Sequence, residues 1–274
     1  TAPEIAEQLK LPEGLAKEWF NRDYYGTVRH NAKAIYQKYL GWYDSNPAHL
    51  DPLPPVKAAK KYLEYMGGTE AVLRRAREDF HKGDYRWVAE VMNRVVFAEP
   101  QNGDARALAA DALEQLGYLA EAATWRNSYL CAAFELRNGV PQPRSLTPPG
   151  LNALRALTID MVFDFFGVRL NGPKAEGKKI VINWNFSDTK QQYVLSLENC
   201  ALTHLANKQV AGADATLTLA RATLDQILMR KTNFPEAVQK GLVKIDGQPM
   251  KLLELFGLFE NFNPMFEIVT PKSS

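Results

Sequence analysis

In the first half of the chain, apolar side chains recur at the spacing of amphipathic helices. Residues 4–137 carry them every three or four positions, and one long helix is predicted over about residues 31–42. The proline-rich run at residues 51–55 interrupts this pattern, because proline cannot continue a helix, and a further helix is predicted over residues 56–65. The first half is therefore predicted to be all-helical.

Two later helix pairs resemble offset copies of one another. Three positions recur about 33 residues later: Phe80, Tyr85 and Ala89 correspond to Leu113, Tyr118 and Ala122. This period is typical of tetratricopeptide-like helical hairpins, although only two copies are visible. We expect a short helical array packed on a neighbour rather than an independent solenoid, and its apolar stripes are expected to be core.

A proline-rich segment at residues 139–150 separates this half from a second one with a different pattern. We place the domain boundary there, with an all-helical domain over residues 1–143 and a second domain over residues 144–274. The second domain is predicted to begin with an amphipathic helix over residues 151–166.

Alternation of apolar and polar residues then predicts β-strands. The predicted strands lie at residues 180–186, 193–197, 215–219 and 243–245, and helices are predicted at residues 222–229, at 234–240 and from Pro249 onward. The predicted fold class is thus α+β overall: a helical domain followed by a meander of strands covered by helices.

Composition excludes several classes of function. Apolar residues make up 46% and charged residues 23% of the 274 residues, and the net charge is +2, so nucleic acid is not expected as a partner. The sequence has no run of 18 apolar residues, and no transmembrane segment is predicted. Cys131 and Cys200 fit no metal or redox spacing and are expected to be buried thiols. The chain opens at Thr1 rather than Met, which favours a piece of a longer protein.

The sequence contains no complete catalytic constellation. Its four histidines are scattered, and none has a partner at zinc-ligand spacing: His30, His49, His81 and His204. We find no serine nucleophile elbow, phosphate-binding glycine loop or cysteine nucleophile.

The segment from Tyr24 to His30 is unusually rich in hydrogen-bond donors. One interpretation is a clamp for a sulfate, phosphate or carboxylate, in which Tyr24, Tyr25 and His30 donate and Arg29 or Arg22 supplies charge. The other is a corner between helices, in which both tyrosines pack as core and Arg29 lies in solvent. Composition alone favours the corner.

The second half offers a different ligand chemistry. A sheet with aromatic and aliphatic alternation, covered by helices as apolar as residues 250–259, is compatible with a tunnel for an alkyl chain. A filled core has the same pattern, and the sequence does not separate these two alternatives.

Long motifs in the chain resemble the alkylsulfatases of the metallo-β-lactamase superfamily. The motifs that carry the resemblance lie at residues 24–31, 33–34, 39–44, 65–68, 83–90 and 112–118, and the similarity extends over essentially the whole chain. The resemblance implies an order of three domains: a zinc-binding catalytic domain, an all-helical dimerisation domain, and a domain similar to sterol carrier protein type 2. The two halves of this chain correspond to the last two.

The family's zinc motif, His-x-His-x-Asp-His, is absent from this sequence. The resemblance therefore implies that this chain is the C-terminal part of an alkylsulfatase, that zinc belongs to an N-terminal metallo-β-lactamase-like domain outside it, and that the chain itself binds no metal. It also implies a homodimer and, as substrate, an alkyl sulfate or similar amphiphile. Tyr25 is the position that it nominates as a sulfate ligand, followed by Tyr24, Arg29 and His30, and with it the clamp becomes the favoured interpretation.

Three hypotheses follow. In the first, the chain is part of a zinc-dependent enzyme that hydrolyses alkyl sulfates to alcohol and sulfate, and it contributes sulfate binding, dimerisation and an apolar domain that gathers substrate. In the second, it is a non-catalytic module that binds lipid-like amphiphiles and dimerises. In the third, it is a tetratricopeptide-like adaptor for peptides, with an open helical groove.

Overall fold

The helices of the first half begin and end close to the predicted positions. A computed structural model describes residues 1–141, 156–263 and 265–272, which divide into two units: residues 1–142 with 265–274, and residues 143–264. Within the described part of the first unit, the helices are α1 (Ala2–Gln8), α2 (Glu13–Ala16), α3 (Val28–Leu40), α4 (Pro55–Tyr65), α5 (Thr69–Lys82), α6 (Tyr85–Ala98), α7 (Gly103–Leu119) and α8 (Ala123–Asn138).

Side-chain caps explain where two of these helices start. The Thr27 hydroxyl accepts a hydrogen bond from the backbone N–H of His30 at 2.9 Å, so α3 begins three residues before the predicted start. The Asn102 carboxamide accepts from the backbone N–H of Ala105 at 3.0 Å and starts α7. Both caps satisfy N–H groups that would otherwise lack partners at a helix start.

The predicted repeat is present as two successive helix pairs, but its register is not exact. Helix α5 has 14 residues and α7 has 17. Tyr85 therefore opens α6, whereas Tyr118 lies in the last turn of α7, and Ala122 precedes α8 instead of lying inside it as Ala89 does in α6. Only Phe80 and Leu113 occupy comparable places, since both pack half-buried against the same core.

The core of the first unit is centred on α6, which packs against α4, α5 and α7. Val88, Met92 and Val95 of this helix have no exposed surface. Val269, far along the sequence, also packs against this core, so the end of the chain completes the helical unit.

In the second unit the described elements are α9 (Ile159–Arg169), β1 (Ile180–Phe186), β2 (Gln192–Glu198), β3 (Ala201–Ala206), β4 (Ala215–Leu219), α10 (Arg221–Leu228), α11 (Phe234–Gln239), β5 (Val243–Gly247) and α12 (Pro249–Gly257). The helix predicted over residues 151–166 is not continuous, because Thr158 caps a new helix by accepting from the backbone N–H of Met161 at 3.2 Å. The first residues of that prediction, like most of the proline-rich segment, lie outside the described residues.

The five strands form one mixed sheet in the order β3-β2-β1-β4-β5. Strands β1 and β4 run parallel, with Trp184 opposite Leu217, and the other neighbouring strands are antiparallel. The predicted simple meander is therefore wrong for β4. Strand β3 was not predicted. It lies at the edge of the sheet, so only β2 pairs with it, and its side chains are half-exposed or exposed.

The turn before β3 also gives no glycine signal. Asn199 and Cys200 both have positive φ, 51° and 61°, the backbone that a tight hairpin needs. Cys200 is exposed there, and Cys131 is exposed in α8, so the expectation of buried thiols is wrong.

The interior of the second unit is built from aromatic rings in mutual contact. Trp184 of β1 has no exposed surface, and its ring centroid lies 5.2 Å from that of Phe163 in α9 and 6.1 Å from that of Phe234 in α11. Phe163 also lies 5.3 Å from the ring of Tyr193. A helical unit followed by an α+β unit confirms the predicted fold class, and no helix among the described residues is long and apolar enough to cross a membrane.

Candidate functional site

The corner that carries Tyr24 and Tyr25 is hydrogen-bonded to the start of α8 through its backbone carbonyl oxygens. The carbonyl oxygen of Tyr24 accepts from the backbone N–H of Ala123 at 2.8 Å, and that of Tyr25 accepts from the Thr124 hydroxyl at 2.6 Å. These bonds fix the backbone of the corner and leave both phenol rings free to project from it.

Both rings do project: Tyr24 is 46% and Tyr25 is 78% exposed. Arg22 lies over the Tyr24 ring, 5.8 Å from its centroid, and pairs with Glu121 at 2.5 Å. The corner interpretation, with both tyrosines in the core and Arg29 in solvent, is therefore wrong in its packing, because both tyrosines are exposed and Arg29 is half-buried.

Arg29 and His30 have partners of their own on different elements. The guanidinium of Arg29 pairs with Glu7 of α1, and the same Glu7 oxygen accepts from Arg86 of α6 at 2.8 Å. The ring of His30 accepts through Nδ1 from the indole N–H of Trp125 at 3.2 Å. Of the four nominated clamp residues, only Arg29 lines a cavity of the helical unit described below, while Tyr25 faces solvent.

That cavity is a groove of about 430 Å³ between α3, α6, α7 and α8, within the range of small-molecule sites. Its cationic side chains are Arg29, Lys33 and Arg86, and the other lining residues are Ala89, Glu90, Asn93, Val96, Ala109, Leu113, Leu116, Trp125, Tyr129, Leu136 and Val269. We call it the α3–α8 groove. Its lining is thus cationic on one side and largely alkyl and aromatic on the other.

The cationic part of the α3–α8 groove already binds one anion of the chain itself. The hydrogen bond from Arg86, together with the charges of Arg29, Arg86 and Lys33, lowers the pKa of Glu7 below its usual value. Lys33 has its Nζ 5.3 Å from the centroid of the Trp125 ring, and the Nε of Arg29 is buried without a hydrogen-bond partner among the described residues. The groove therefore retains donor capacity that Glu7 does not use.

One wall of the groove is held by a buried carboxylate. Glu135 of α8, 7% exposed, accepts from the backbone N–H groups of Ile268 and Val269 at 2.8 and 3.0 Å. These two bonds hold the C-terminal segment, residues 265–272, on the helical unit, where Val269 lines the groove.

A second group of titratable side chains lies in the α+β unit. His204 of β3 is 3.4 Å from Asp160 and 3.7 Å from Asp164, both on α9. Asp160 also accepts from the Tyr193 hydroxyl at 2.8 Å, and burial, followed by this bond, raises the pKa of Tyr193 to about 12. The described residues include no group of three or more histidine, cysteine, aspartate or glutamate side chains able to hold a metal ion.

Sequence reasoning missed most of the groove. Lys33, Arg86 and Trp125 are separated along the chain and meet only because α3, α6 and α8 pack together. The one available signal was Arg29, singled out with its neighbours for its donor capacity.

Two family models match the chain. The model described as "Alkyl sulfatase dimerisation" matches residues 1–139, and the model described as "Alkyl sulfatase C-terminal" matches residues 149–271. Together they cover both units.

Individual alkylsulfatases are similar to this chain over nearly its whole length. "Alkyl/aryl-sulfatase BDS1" of Saccharomyces cerevisiae is 53% identical over 99% of this chain and 42% of its own length. A "Linear primary-alkylsulfatase" of Pseudomonas sp. is 49% identical over 99% of this chain and 40% of its own length. The solved structure of the "stereoselective inverting sec-alkylsulfatase Pisa1" from Pseudomonas sp. is 49% identical, with a TM-score of 0.89 over 100% of this chain and 43% of that one. The chain thus spans about two fifths of the length of these three relatives.

Proposed function

Because this chain belongs to the alkylsulfatases and consists of their dimerisation and C-terminal domains, we propose that it works as part of an enzyme that hydrolyses alkyl sulfate esters to an alcohol and sulfate. The observation that carries this proposal is the match of both family models, which leaves only residues 140–148 and 272–274 unassigned. The identity of about half of all residues to two Pseudomonas enzymes supports it further.

In this proposal the reactive zinc belongs to a separate domain of the same protein. The residues described here do not fit a zinc site, so no step of the reaction is assigned to a metal on this chain. Their contribution is to bind and orient the ester, which can lower a barrier without any covalent step.

We assign the binding of the sulfate group to Tyr25 in the first place. Its backbone is fixed against α8 while its phenol is 78% exposed, so the hydroxyl is available to a neighbouring domain without local rearrangement. Tyr24 is the second candidate. Arg29 and His30 are weaker candidates than the sequence suggested, because both already bind partners within the helical unit.

The other proposed roles are pairing of two chains through the helical unit and gathering of substrate by the α+β unit. The name of the first family model supports the pairing. The gathering role rests on the apolar interior of the second unit, whose Trp184 indole N–H is buried without a partner among the described residues and would donate to an oxygen of an amphiphile that entered this interior.

A chimera tests the proposal. In the linear primary-alkylsulfatase of Pseudomonas sp., the matching two fifths are replaced by this chain, and turnover of dodecyl sulfate is measured. We expect activity, and we expect Tyr25→Phe to lower kcat/KM roughly a hundredfold, as for the loss of one donor to a charged group. Tyr65→Phe, at another exposed tyrosine of the helical unit, is the matched control.

Two results would contradict the proposal. A folded chimera with no activity would show that this chain cannot replace its counterpart, and sulfatase turnover by the isolated chain with added zinc would overturn the division of roles. An unchanged kcat/KM in Tyr25→Phe would remove Tyr25 alone. The alternative function, a non-catalytic module for amphiphiles, predicts saturable binding of dodecyl sulfate by the chain together with an inactive chimera.

A further inference from the structure

We propose that the α3–α8 groove of the helical unit is itself a binding site for a single-chain amphiphile with an anionic head, such as an alkyl sulfate or an alkyl carboxylate. This goes beyond the proposed function, which places the sulfate group at Tyr25 and the gathering of substrate in the α+β unit.

The charges of the lining support an anionic head. Arg29, Lys33 and Arg86 line the groove, against a single lining carboxylate, that of the exposed Glu90. Glu7 neutralises part of this charge by bridging the two arginines, and it demonstrates that an oxyanion fits between their guanidinium groups.

Donors also remain for a further oxyanion. The Nε of Arg29 is buried and has no hydrogen-bond partner among the described residues. Lys33 rests over the Trp125 ring, a contact that leaves its N–H groups able to donate. An incoming head group can therefore bind beside the Glu7 carboxylate or replace it.

The rest of the lining suits an alkyl chain. Val96, Leu113 and Leu116 belong to α6 and α7, and Leu136 and Val269 close the groove from α8 and the C-terminal segment. Alkyl and aromatic walls with a few polar groups at one place are typical of sites for small amphiphilic ligands. A volume of about 430 Å³ accommodates one chain and not a folded peptide.

Tryptophan fluorescence of the whole chain can locate the ligand. The probe is a dodecanoate with bromine near the end of its alkyl chain, because bromine quenches tryptophan on contact. Trp125 lines the groove and Trp184 lies inside the α+β unit. We expect saturable quenching that falls by at least about half in Trp125→Phe and is unchanged in Trp184→Phe.

Charge variants test the head group. Lys33→Gln removes a cation of the groove without breaking an ion pair among the described residues, and we expect it to weaken binding of the probe about tenfold. Lys38→Gln is the matched control, since Lys38 lies on the same helix and over another aromatic ring, that of Tyr39, at 5.8 Å. Dodecanol should bind much more weakly than the probe, and competition with dodecyl sulfate and with dodecanoate distinguishes the two head groups.

Three outcomes would overturn the inference. They are quenching that persists in Trp125→Phe, equal affinities of Lys33→Gln and the parent, and equal affinities of dodecanol and dodecanoate. Quenching lost only in Trp184→Phe would place the probe in the α+β unit. That result would support the proposed gathering role and reject the groove, so the two ideas fail separately.

Discussion

The carboxylate of Glu135 organises a segment that lies more than a hundred residues further along the sequence. It is buried, and the desolvation of a carboxylate is unfavourable unless donors replace the lost water. The backbone N–H groups of Ile268 and Val269 supply them. A single residue thus holds the end of the chain against the helical core.

We expect Glu135→Ala to lower the free energy of unfolding of the helical unit by about 1–3 kcal/mol, because two N–H donors lose their acceptor. Faster hydrogen exchange at the amides of Ile268 and Val269 would identify the cause. Glu135→Gln retains an acceptor oxygen and should lose less. Glu64→Ala, which removes an exposed pair with Lys61, is the control and should change stability by less than about 0.5 kcal/mol. Unchanged exchange in Glu135→Ala would contradict this role.

Tyr193 makes the stability of the α+β unit depend on pH at alkaline values. Its pKa is raised to about 12 from 10.0, first by burial and then by the bond to Asp160. The resulting stabilisation, roughly 2–3 kcal/mol at most, is complete below about pH 10 and is lost as the pH rises towards 12. The pKa of Tyr118 is also raised, by its hydrogen bond to Glu114, and an absorbance titration of the 11 tyrosines should show a step near pH 12 from Tyr193. That step should vanish in Tyr193→Phe, and its persistence would refute the assignment.

At the residue scale, the sequence identified side chains that donate hydrogen bonds but not the groups that accept them. Arg29 was recognised as a group that binds anions, yet its partner Glu7 lies on another helix, and Arg86, which shares that carboxylate, lies on a third. Such pairs depend on how helices pack, which local patterns do not encode. The sequence also did not determine whether Tyr25 is buried or exposed, because tyrosine occurs both in cores and on surfaces.

Among the elements, the antiparallel pairing of β4 with β5 depends on one glycine. Gly247 lies opposite Ala215, has a φ of +103°, and would place a Cβ 2.6 Å from the carbonyl oxygen of Asp214. Because that neighbour is backbone, it cannot turn away as a side chain would. The strand pair at the edge of the sheet therefore tolerates no side chain here.

Gly247→Ala should lower the free energy of unfolding of the α+β unit by about 2–4 kcal/mol, from backbone strain and from the clash together. Gly177→Ala is the matched control: its φ is +71° but nothing lies within 4 Å of the added Cβ, so only about 1 kcal/mol of strain is expected. Thermal or urea unfolding followed by near-ultraviolet circular dichroism measures both. Equal losses in the two variants would mean that the clash with Asp214 is relieved.

Helices and buried strands were predictable because their apolar periodicity is strong. The caps at Thr27 and Thr158 were not predicted, so α3 begins three residues before its predicted start and the helix predicted over residues 151–166 is interrupted. Strand β3 escaped prediction because its turn, Asn199-Cys200, uses positive φ without glycine and because its side chains are largely exposed. The parallel pairing of β1 with β4 is likewise a property of the whole sheet.

At the scale of the whole molecule, the exposed surface of α3 is the candidate for the interface that the family description, a dimerisation domain, implies. Ile35 is 58% and Tyr39 is 75% exposed, one helical turn apart, and Trp42 just beyond the helix is 71% exposed. Contiguous exposed apolar side chains are typical of interaction surfaces. We therefore expect two chains to pair through this face.

Sedimentation of the isolated chain should give the mass of a dimer, and the double variant Ile35→Glu, Tyr39→Glu should sediment as a monomer. Each substitution replaces apolar area, worth about 1.5–3 kcal/mol when buried, with a charge. Val238→Glu, at an exposed apolar residue of the α+β unit, is the control and should remain dimeric. A double variant that pairs as tightly as the parent would exclude α3 from the interface.

The division into two units has a consequence for synthesis on the ribosome. Domains usually fold in order as they emerge, so the helices of the first unit are available long before the α+β unit is complete. Their core nevertheless includes Val269, and Glu135 finds its donors only in the final residues. The part of this chain that is made first is therefore the part that is finished last, and a nascent chain stopped at residue 264 would contain all of the α+β unit but only an unfinished helical unit.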